Sequence, residues 1–207
     1  MCIRDRDLRG HGDSTKPLND YGVAFMAEDI KQFLDKLTIK KATIVGFSMG
    51  GAVAFQMAVS YPEYLNNLVI VNSSPDFNNM GKTGEDLLTN RTQFLETKGV
   101  EALAKEISFN MFPEDHQTDL RNAFEARCKK NEYNAYYKSF VTLMTWGLGE
   151  KIKDITTRTL VVASDMDYTP VSFKEAYVKN LPNAELIVIK NSRHGVVIDQ
   201  PKAFNVA

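Results

Sequence analysis

Apolar residues between positions 23 and 37 recur at intervals of three and four with charged residues between them, which predicts an amphipathic helix. Four short, nearly uninterrupted apolar runs are typical of strands buried on both faces of a parallel sheet. They lie at 42–46, 68–71, 160–163 and 186–189. Helices are predicted after the first run, at 49–60, and after the third, at 173–180. This alternation predicts an α/β fold on a mostly parallel sheet of about four main strands.

The pattern changes between positions 76 and 150, where no β-branched run occurs and helical stretches follow one another. They lie at 101–110, 119–130 and 133–144. Ten of the 21 aromatic residues fall in this segment, which favours a separately packed, apolar unit. We therefore expect residues 1–75 and 151–207 to form two parts of one core, with residues 76–150 inserted between them as a helical unit.

Composition narrows the class of protein further. With 43% hydrophobic and 25% charged residues, the 207-residue chain is typical of a globular domain. The net charge of −1 gives no reason to expect a nucleic acid or an anionic membrane as partner. Two cysteines, Cys2 and Cys128, are too few for a disulfide framework and favour a reducing, cytoplasmic compartment. Neither they nor the histidines have metal-ligand spacing, so no metal or organic cofactor is expected.

Residues 46–50 read Gly-Phe-Ser-Met-Gly, a Gly-x-Ser-x-Gly motif between the first predicted strand and its helix. A sharp strand-to-helix turn of this kind presents the hydroxyl of Ser48 at a helix N-terminus, where backbone N–H groups stabilise negative charge. The N–H of Met49 is then a candidate donor to an oxyanion. The alternative is that Ser48 only caps the helix in a glycine-rich turn.

A serine nucleophile needs an adjacent base, and the chain has three histidines. His116 lies in a polar turn of the helical segment, and His11 precedes the serine. His194 follows the fourth predicted strand. Because parallel sheets gather functional side chains at the carboxyl ends of their strands, we predict that His194 is the base.

The imidazole in turn needs a carboxylate, and the segment after the third predicted strand offers two, Asp165 and Asp167. Their positions in the sequence favour neither. Both could instead cap the helix predicted to begin at Phe173. The residues alone therefore leave the choice of acid open.

Four motifs, spread over residues 7–205, resemble those of the α/β-hydrolase superfamily. They are an Asp-x-Arg-Gly-His-Gly-x-Ser loop, the nucleophile turn, an acid loop and a histidine loop, at residues 7–14, 46–51, 167–170 and 192–194. The resemblance implies that Ser48, Asp167 and His194 are the catalytic residues, in the family's order, with Met49 in the oxyanion hole. It selects Asp167 over Asp165, and it implies a structural role for the Arg-Gly-His loop.

The most similar subgroup contains small esterases, enol-lactonases and cofactor-free haloperoxidases. The resemblance therefore implies a serine hydrolase that cleaves a small ester, thioester or lactone, with segment 76–150 as a lid over an apolar pocket. Carbon–carbon bond hydrolysis and perhydrolysis stay open. The rival interpretation is a non-catalytic relative that binds a ligand or an interaction partner, although such relatives typically lack a triad residue.

The N-terminal region departs from the family pattern. Residues 1–6 resemble a translated sequencing adapter and are excluded from the fold prediction. The family's first three strands, most of its fourth and the loop with a second oxyanion donor have no counterpart in the chain. We therefore expect a truncated chain with strand 42–45 at an exposed sheet edge. We also expect it to be poorly soluble and nearly inactive on 4-nitrophenyl esters.

Overall fold

The computed structural model describes residues 3–207, so that Met1 and Cys2, in the segment set aside above, lie outside the described residues. The strands are β1 (Ala42–Phe47), β2 (Leu65–Val71), β3 (Thr159–Ser164) and β4 (Ala184–Ile189). The helices are α1 (Val23–Lys36), α2 (Met49–Ser60), α3 (Gly81–Met111), α4 (Thr118–Cys128), α5 (Tyr133–Met144), α6 (Val171–Val178), α7 (Val196–Asp199) and α8 (Pro201–Val206). Short 3-10 helices lie at Pro62–Tyr64, Asp115–Gln117 and Gly149–Asp154.

The four strands form one parallel sheet whose order follows the sequence, β1-β2-β3-β4. This confirms the predicted α/β class and the four-stranded parallel sheet. Strands β2 and β3 occupy the centre, and the side chains of Leu68, Ile70 and Val161 on them are completely buried. The core of the molecule is thus built around the middle of the sheet, and every strand points its carboxyl end the same way.

Strand β1 lies at one edge of the sheet, as expected for residues 42–45, but it is not buried on both faces. Among the described residues it pairs with β2 alone, and the side chain of Val45 is 61% exposed. The apolar run identifies a strand correctly. Its burial depends on which neighbours cover it, and a run of apolar residues carries no information about neighbours.

Helix α2 begins and ends where the sequence predicts, because both ends have local causes. The turn at Ser48 starts it, and Pro62, which has no backbone N–H to donate, follows its end. Small buried residues on α2, among them Ala52 and Ala54, let the helix pack closely on the sheet. Helix α1 then packs on α2 through its own apolar face.

Helices α3, α4 and α5 occupy the segment between β2 and β3, in agreement with the predicted run of helices. Helix α3 is much longer than the expected 101–110, and it is broken at Gly99, where φ is 78° and ψ is 176°. Glycine tolerates this positive φ without the steric cost that a side chain adds. The rings of Phe112 and Phe124 meet edge to face at 6.0 Å, so the aromatic residues pack the inserted helices against one another.

Candidate active site

Loops at the carboxyl ends of all four strands bring polar side chains together at one edge of the sheet. Ser48 follows β1, Asn72 follows β2, Asp167 follows β3 and His194 follows β4. Parallel strands place their carboxyl ends side by side, so residues far apart in the sequence become neighbours here.

Ser48 has an unusual backbone conformation, with φ 53° and ψ −120°. The turn is fixed by two hydrogen bonds: the N–H of Ser48 donates to the carbonyl of Val71 at 2.9 Å, and the hydroxyl of Ser73 donates to the carbonyl of Ser48 at 2.6 Å. A side chain at Gly46 would collide with the backbone of Gly50, which explains the glycine at this position. The turn therefore holds the serine hydroxyl at the start of α2.

Ser48, His194 and Asp167 form a continuous line of hydrogen bonds. The Oγ of Ser48 lies 2.9 Å from Nε2 of His194, and Nδ1 of His194 lies 2.5 Å from Oδ1 of Asp167. With its proton on Nδ1, the imidazole donates to the carboxylate and leaves Nε2 free to accept from the serine hydroxyl. The structure thus brings together the three residues that the sequence singled out.

Asp165, the other candidate acid, and His116, the histidine of the inserted segment, lie apart from this line of hydrogen bonds. Oδ1 of Asp165 accepts a hydrogen bond from the backbone N–H of Ser192 at 3.2 Å. Asp165 therefore holds the loop that carries His194 and does not contact the imidazole. His116 is exposed in a 3-10 helix of the inserted segment.

The Arg-Gly-His loop lies beside the same site. The guanidinium of Arg9 donates two hydrogen bonds of 2.6 Å to the carboxylate of Asp29 on α1, and these raise the pKa of Arg9. Burial lowers the pKa of His11, whose Nδ1 lies 3.1 Å from the carbonyl oxygen of Arg9. The contacts of both residues fasten the loop to itself and to α1.

The histidine loop is held from two sides. The imidazole of His194 lies between the rings of Phe47 and Tyr168, with centroid distances of 4.9 and 4.5 Å. The buried amide of Asn72 donates to Oγ of Ser164 at 2.7 Å and to the carbonyl of His194 at 2.8 Å, and it accepts from the N–H of Ser164 at 2.8 Å. The two tilted ring contacts hold the imidazole of His194, and the amide of Asn72 ties the backbone of His194 to the end of β3.

Lys174 on α6 is a functional-site residue that the sequence analysis missed. Its side chain is completely buried, and Nζ lies 2.5 Å from Oδ2 of Asp167, the carboxylate oxygen that His194 does not use. Nζ also donates to the carbonyl of Thr169 at 2.7 Å and to its hydroxyl. Lysines are almost never fully buried unless paired, so a sequence pattern places them on the surface. The one available signal was its position in the first turns of the helix after the acid loop.

The carboxylate of Asp167 is buried but remains ionised. Burial alone would raise its pKa, yet the hydrogen bond and charge of His194 and the charge of Lys174 lower it below its usual value. Burial has the opposite effect on a cation and lowers the pKa of Lys174, while the negative charge of Asp167 opposes that lowering. Each carboxylate oxygen thus has its own cationic or N–H partner.

Replacing Lys174 with methionine is expected to lower the free energy of unfolding by about 3–5 kcal/mol at neutral pH, because it leaves a buried carboxylate short of a partner. Asp167 has a lowered pKa in the folded state, so its ion pairs stabilise the fold above the ordinary value of 3.8 and are lost as the pH falls below it. The difference between variant and wild type should therefore be constant from about pH 5 to 8 and shrink below about pH 4.

Urea unfolding at several pH values measures this difference. Lys179→Met is the matched control, because Lys179 is exposed at the end of the same helix and its loss should change stability by less than about 0.5 kcal/mol. A Lys174→Met protein as stable at pH 7 as the control would contradict the ion pair's contribution.

A cavity of about 1260 Å³ opens over Ser48 and His194. The inserted helices supply much of its apolar wall, including Leu87, Met111, Phe124, Phe140, Leu143 and Met144. The cavity continues along the edge strand to the segment 3–8. The apolar lining beside Ser48 suits a small organic molecule whose reacting group faces the serine.

The described part of the chain has neither a metal-ion cluster nor a membrane-spanning helix. Among residues 3–207, no group of three or more His, Cys, Asp and Glu side chains is placed to hold a metal ion. No helix of the same residues combines the length and apolar character that a membrane crossing requires. Burial raises the pKa of the Cys128 thiol to about 11, so the thiol is protonated near neutral pH.

A sharp strand-to-helix turn that presents a serine beside a parallel sheet, with an acid loop and a histidine loop after later strands, is typical of the hydrolase class of α/β proteins. The chain belongs to the alpha/beta hydrolase fold family, whose sequence profile matches residues 6–201. The family resemblance seen in the motifs is thereby confirmed. Relatives in this family are named as hydrolases, and the chain is a hydrolase of the same family.

Individual proteins resemble the chain in sequence or in fold. The chain is 26% identical to 3-oxoadipate enol-lactonase 2 of Acinetobacter baylyi, over 97% of its own length and 74% of that protein's. Two solved structures share the fold: an esterase from Exiguobacterium antarcticum and a bromoperoxidase from Bacillus anthracis. The TM-scores are 0.85 and 0.88 and the identities 23% and 20%; each match covers 97% of this chain and 77% of the other.

Proposed function

We propose that this hydrolase cleaves a small ester, thioester or lactone through an acyl-enzyme on Ser48. The observation that carries the proposal is the line of hydrogen bonds from Ser48 through His194 to Asp167, which ends in an apolar cavity. A serine hydroxyl is a weak nucleophile until a base removes its proton, and the neighbouring imidazole is such a base.

In the first step, Oγ of Ser48 attacks the carbonyl carbon of the substrate while its proton passes to Nε2 of His194. Asp167 keeps the imidazole in the tautomer that can accept this proton and stabilises the imidazolium that forms. His194 then gives the proton to the leaving alcohol, thiol or ring oxygen. The product of this step is an ester between Ser48 and the acyl group.

In the second step, water attacks the acyl-enzyme and its proton passes to His194, which returns it to Ser48 as the acid leaves. Each tetrahedral intermediate carries a negative oxygen. The N–H of Met49 is its first donor, because the first N–H groups of a helix have no acceptor within the helix. The positive end of α2 adds to this stabilisation.

We assign residues 76–150 as a lid between the two parts of the core, residues 1–75 and 151–207. Apolar side chains of α3, α4 and α5 line the cavity above the serine and support this assignment. The carbonyl group of a bound substrate would then react away from bulk water. The substrate would be an acyl compound with a substantial apolar portion.

A fluorophosphonate probe tests the proposal directly, since it forms a stable adduct only with an activated serine. We expect one adduct per chain, on Ser48, as located by peptide mass spectrometry. Ser48→Ala should abolish the adduct, while Ser60→Ala, at an exposed serine at the end of α2, should leave it intact.

The rival function is a binding module that keeps the fold without chemistry. It predicts no fluorophosphonate adduct on a folded protein, and in that case the proposed hydrolysis is wrong. Labelling of other serines to the same extent as Ser48 would also count against a specifically activated nucleophile.

A further inference from the structure

Arg91 places a guanidinium in the cavity that contains Ser48. It lies on α3, and its Cζ is 5.0 Å from the ring centroid of Phe140 and 6.0 Å from that of Tyr168. The ring of Tyr168 is itself packed on the imidazole of His194, with 4.5 Å between centroids. One aromatic ring therefore separates this cation from the reacting groups.

Two phenols accompany the guanidinium. Tyr136 stacks on Phe140 with 6.2 Å between ring centroids, and Tyr168 completes the aromatic surroundings of the cation. Burial raises the pKa of both tyrosines, and the positive charge of Arg91 opposes that rise. Both phenols are therefore protonated near neutral pH and can donate hydrogen bonds. This end of the cavity combines a positive charge with O–H donors.

No carboxylate of the described chain neutralises Arg91. It takes part in none of the ion pairs formed among residues 3–207, whereas Arg9 pairs with Asp29 and Lys174 with Asp167. The carboxylate of Asp167 is fully engaged by His194 and Lys174. Arg91 makes hydrogen bonds to the phenols of Tyr136 and Tyr168. A guanidinium has five N–H donors, so one that faces an apolar cavity without a counter-ion keeps further donors available to a ligand.

Apart from Asp167 beside His194, the other charged residues that line the cavity belong to the N-terminal segment and the residue before β1. Arg4, Asp5, Arg6 and Asp7 belong to the N-terminal segment, and Lys41 directly precedes β1. The guanidinium of Arg6 packs over the ring of Phe33 on α1, 4.7 Å from its centroid. Arg91 is thus the charged group that the inserted helices contribute to the cavity lining.

We propose that Arg91 binds a carboxylate of the substrate, so that the preferred ester, thioester or lactone carries a carboxylate remote from its scissile carbonyl. The inference rests on the proposed hydrolysis at Ser48 and specifies its substrate class. A guanidinium binds a carboxylate through two parallel N–H···O bonds, and the apolar walls strengthen the attraction. Such charge-assisted bonds correspond to roughly 10- to 100-fold in binding or in kcat/KM.

Two matched esters test the proposal. Mono-4-nitrophenyl adipate ends in a carboxylate, and 4-nitrophenyl 6-methylheptanoate has an isopropyl group in its place. The pimelate and suberate esters with their isopropyl analogues extend the comparison to longer chains. We expect wild type to favour a carboxylate ester, and we expect Arg91→Gln to lower the kcat/KM ratio of charged to neutral ester by roughly 10- to 100-fold.

Two further variants separate charge from packing. Arg91→Lys should retain part of the ratio, since an ammonium keeps the charge without the planar fork. Arg121→Gln is the matched control, because Arg121 lies over the ring of Phe109 on the inserted helices but does not line the cavity. A kcat/KM ratio of charged to neutral ester that is the same in wild type and Arg91→Gln would overturn the carboxylate site. The same holds if Arg121→Gln lowers this ratio as much as Arg91→Gln does. Either result leaves the proposed hydrolysis at Ser48 standing.

A binding measurement tests the carboxylate site at Arg91 independently of turnover. Calorimetry with adipate, pimelate and suberate on Ser48→Ala protein should give binding that Arg91→Gln weakens at least about tenfold. If Ser48 of the folded wild-type protein forms no fluorophosphonate adduct but this binding is seen, the proposed reaction fails and the carboxylate site stands. If no dicarboxylate binds, or Arg91→Gln leaves binding unchanged, the site is wrong.

Discussion

Replacing Ser48 with alanine is expected to remove nearly all of the turnover of 4-nitrophenyl butyrate that the wild-type protein shows, up to a factor on the order of 10⁴–10⁶ in kcat, and His194→Ala should have a loss of the same kind. Without the hydroxyl there is no acyl-enzyme, and without the imidazole the hydroxyl keeps its proton. The two residues act as one unit, since Oγ of Ser48 lies 2.9 Å from Nε2 of His194. The double variant should therefore be no slower than either single variant.

Matched substitutions elsewhere show whether these losses are specific. Ser60→Ala and His116→Ala change the same residue types at exposed positions outside the cavity and should leave kcat within a factor of about two. Unfolding midpoints of all variants confirm that they are folded. Losses that add on a logarithmic scale in the double variant would mean that Ser48 and His194 do not share one catalytic step.

Asp167→Asn is expected to lower kcat by a factor on the order of 10⁴. An amide lacks the negative charge that stabilises the imidazolium, and its NH₂ group can donate to Nδ1 and thereby select the unproductive tautomer. Asp165→Asn should have a far smaller effect, because Asp165 only accepts a hydrogen bond from the N–H of Ser192, and an amide oxygen can accept it equally well.

The pair of aspartate variants decides between two carboxylates that the sequence alone could not separate. Steady-state kinetics on one ester suffices, with circular dichroism to show that both proteins fold. Equal losses in the two variants, or a larger loss in Asp165→Asn, would remove Asp167 from its proposed role as the residue that orients His194.

Helices whose ends are set by residues adjacent in the sequence could be predicted well. Helix α2 has its start in the glycine-flanked turn and its end before Pro62, and both are visible in the residues themselves. Helix α3 was predicted far too short. Its first half, before the break at Gly99, is mostly polar and half-exposed, and its helical form depends on packing of a few positions such as Leu95.

Ser48 and His194 could be predicted because candidate functional residues follow strands, and strands are visible as apolar runs, whereas Asp167 was selected over Asp165 only by the family resemblance. Two charged residues could not be predicted: Lys174, which is buried against Asp167, and Arg91, which lines the cavity. Lys174 and Arg91 are types that are usually exposed, and only the three-dimensional packing of α6 and α3 brings them inside. Burial of a charge is decided by tertiary neighbours, which a local pattern does not contain.

The positive φ of Ser48 also sets a limit on how this protein can be stabilised. Holding a residue with a side chain in that region costs about 1–3 kcal/mol, and glycine would relieve the cost. Evolution or engineering for heat resistance therefore meets a conflict here, because the substitution that relaxes the turn removes the proposed nucleophile. Gains in stability that keep the reaction have to come from other parts of the fold, such as the exposed strand at the edge of the sheet.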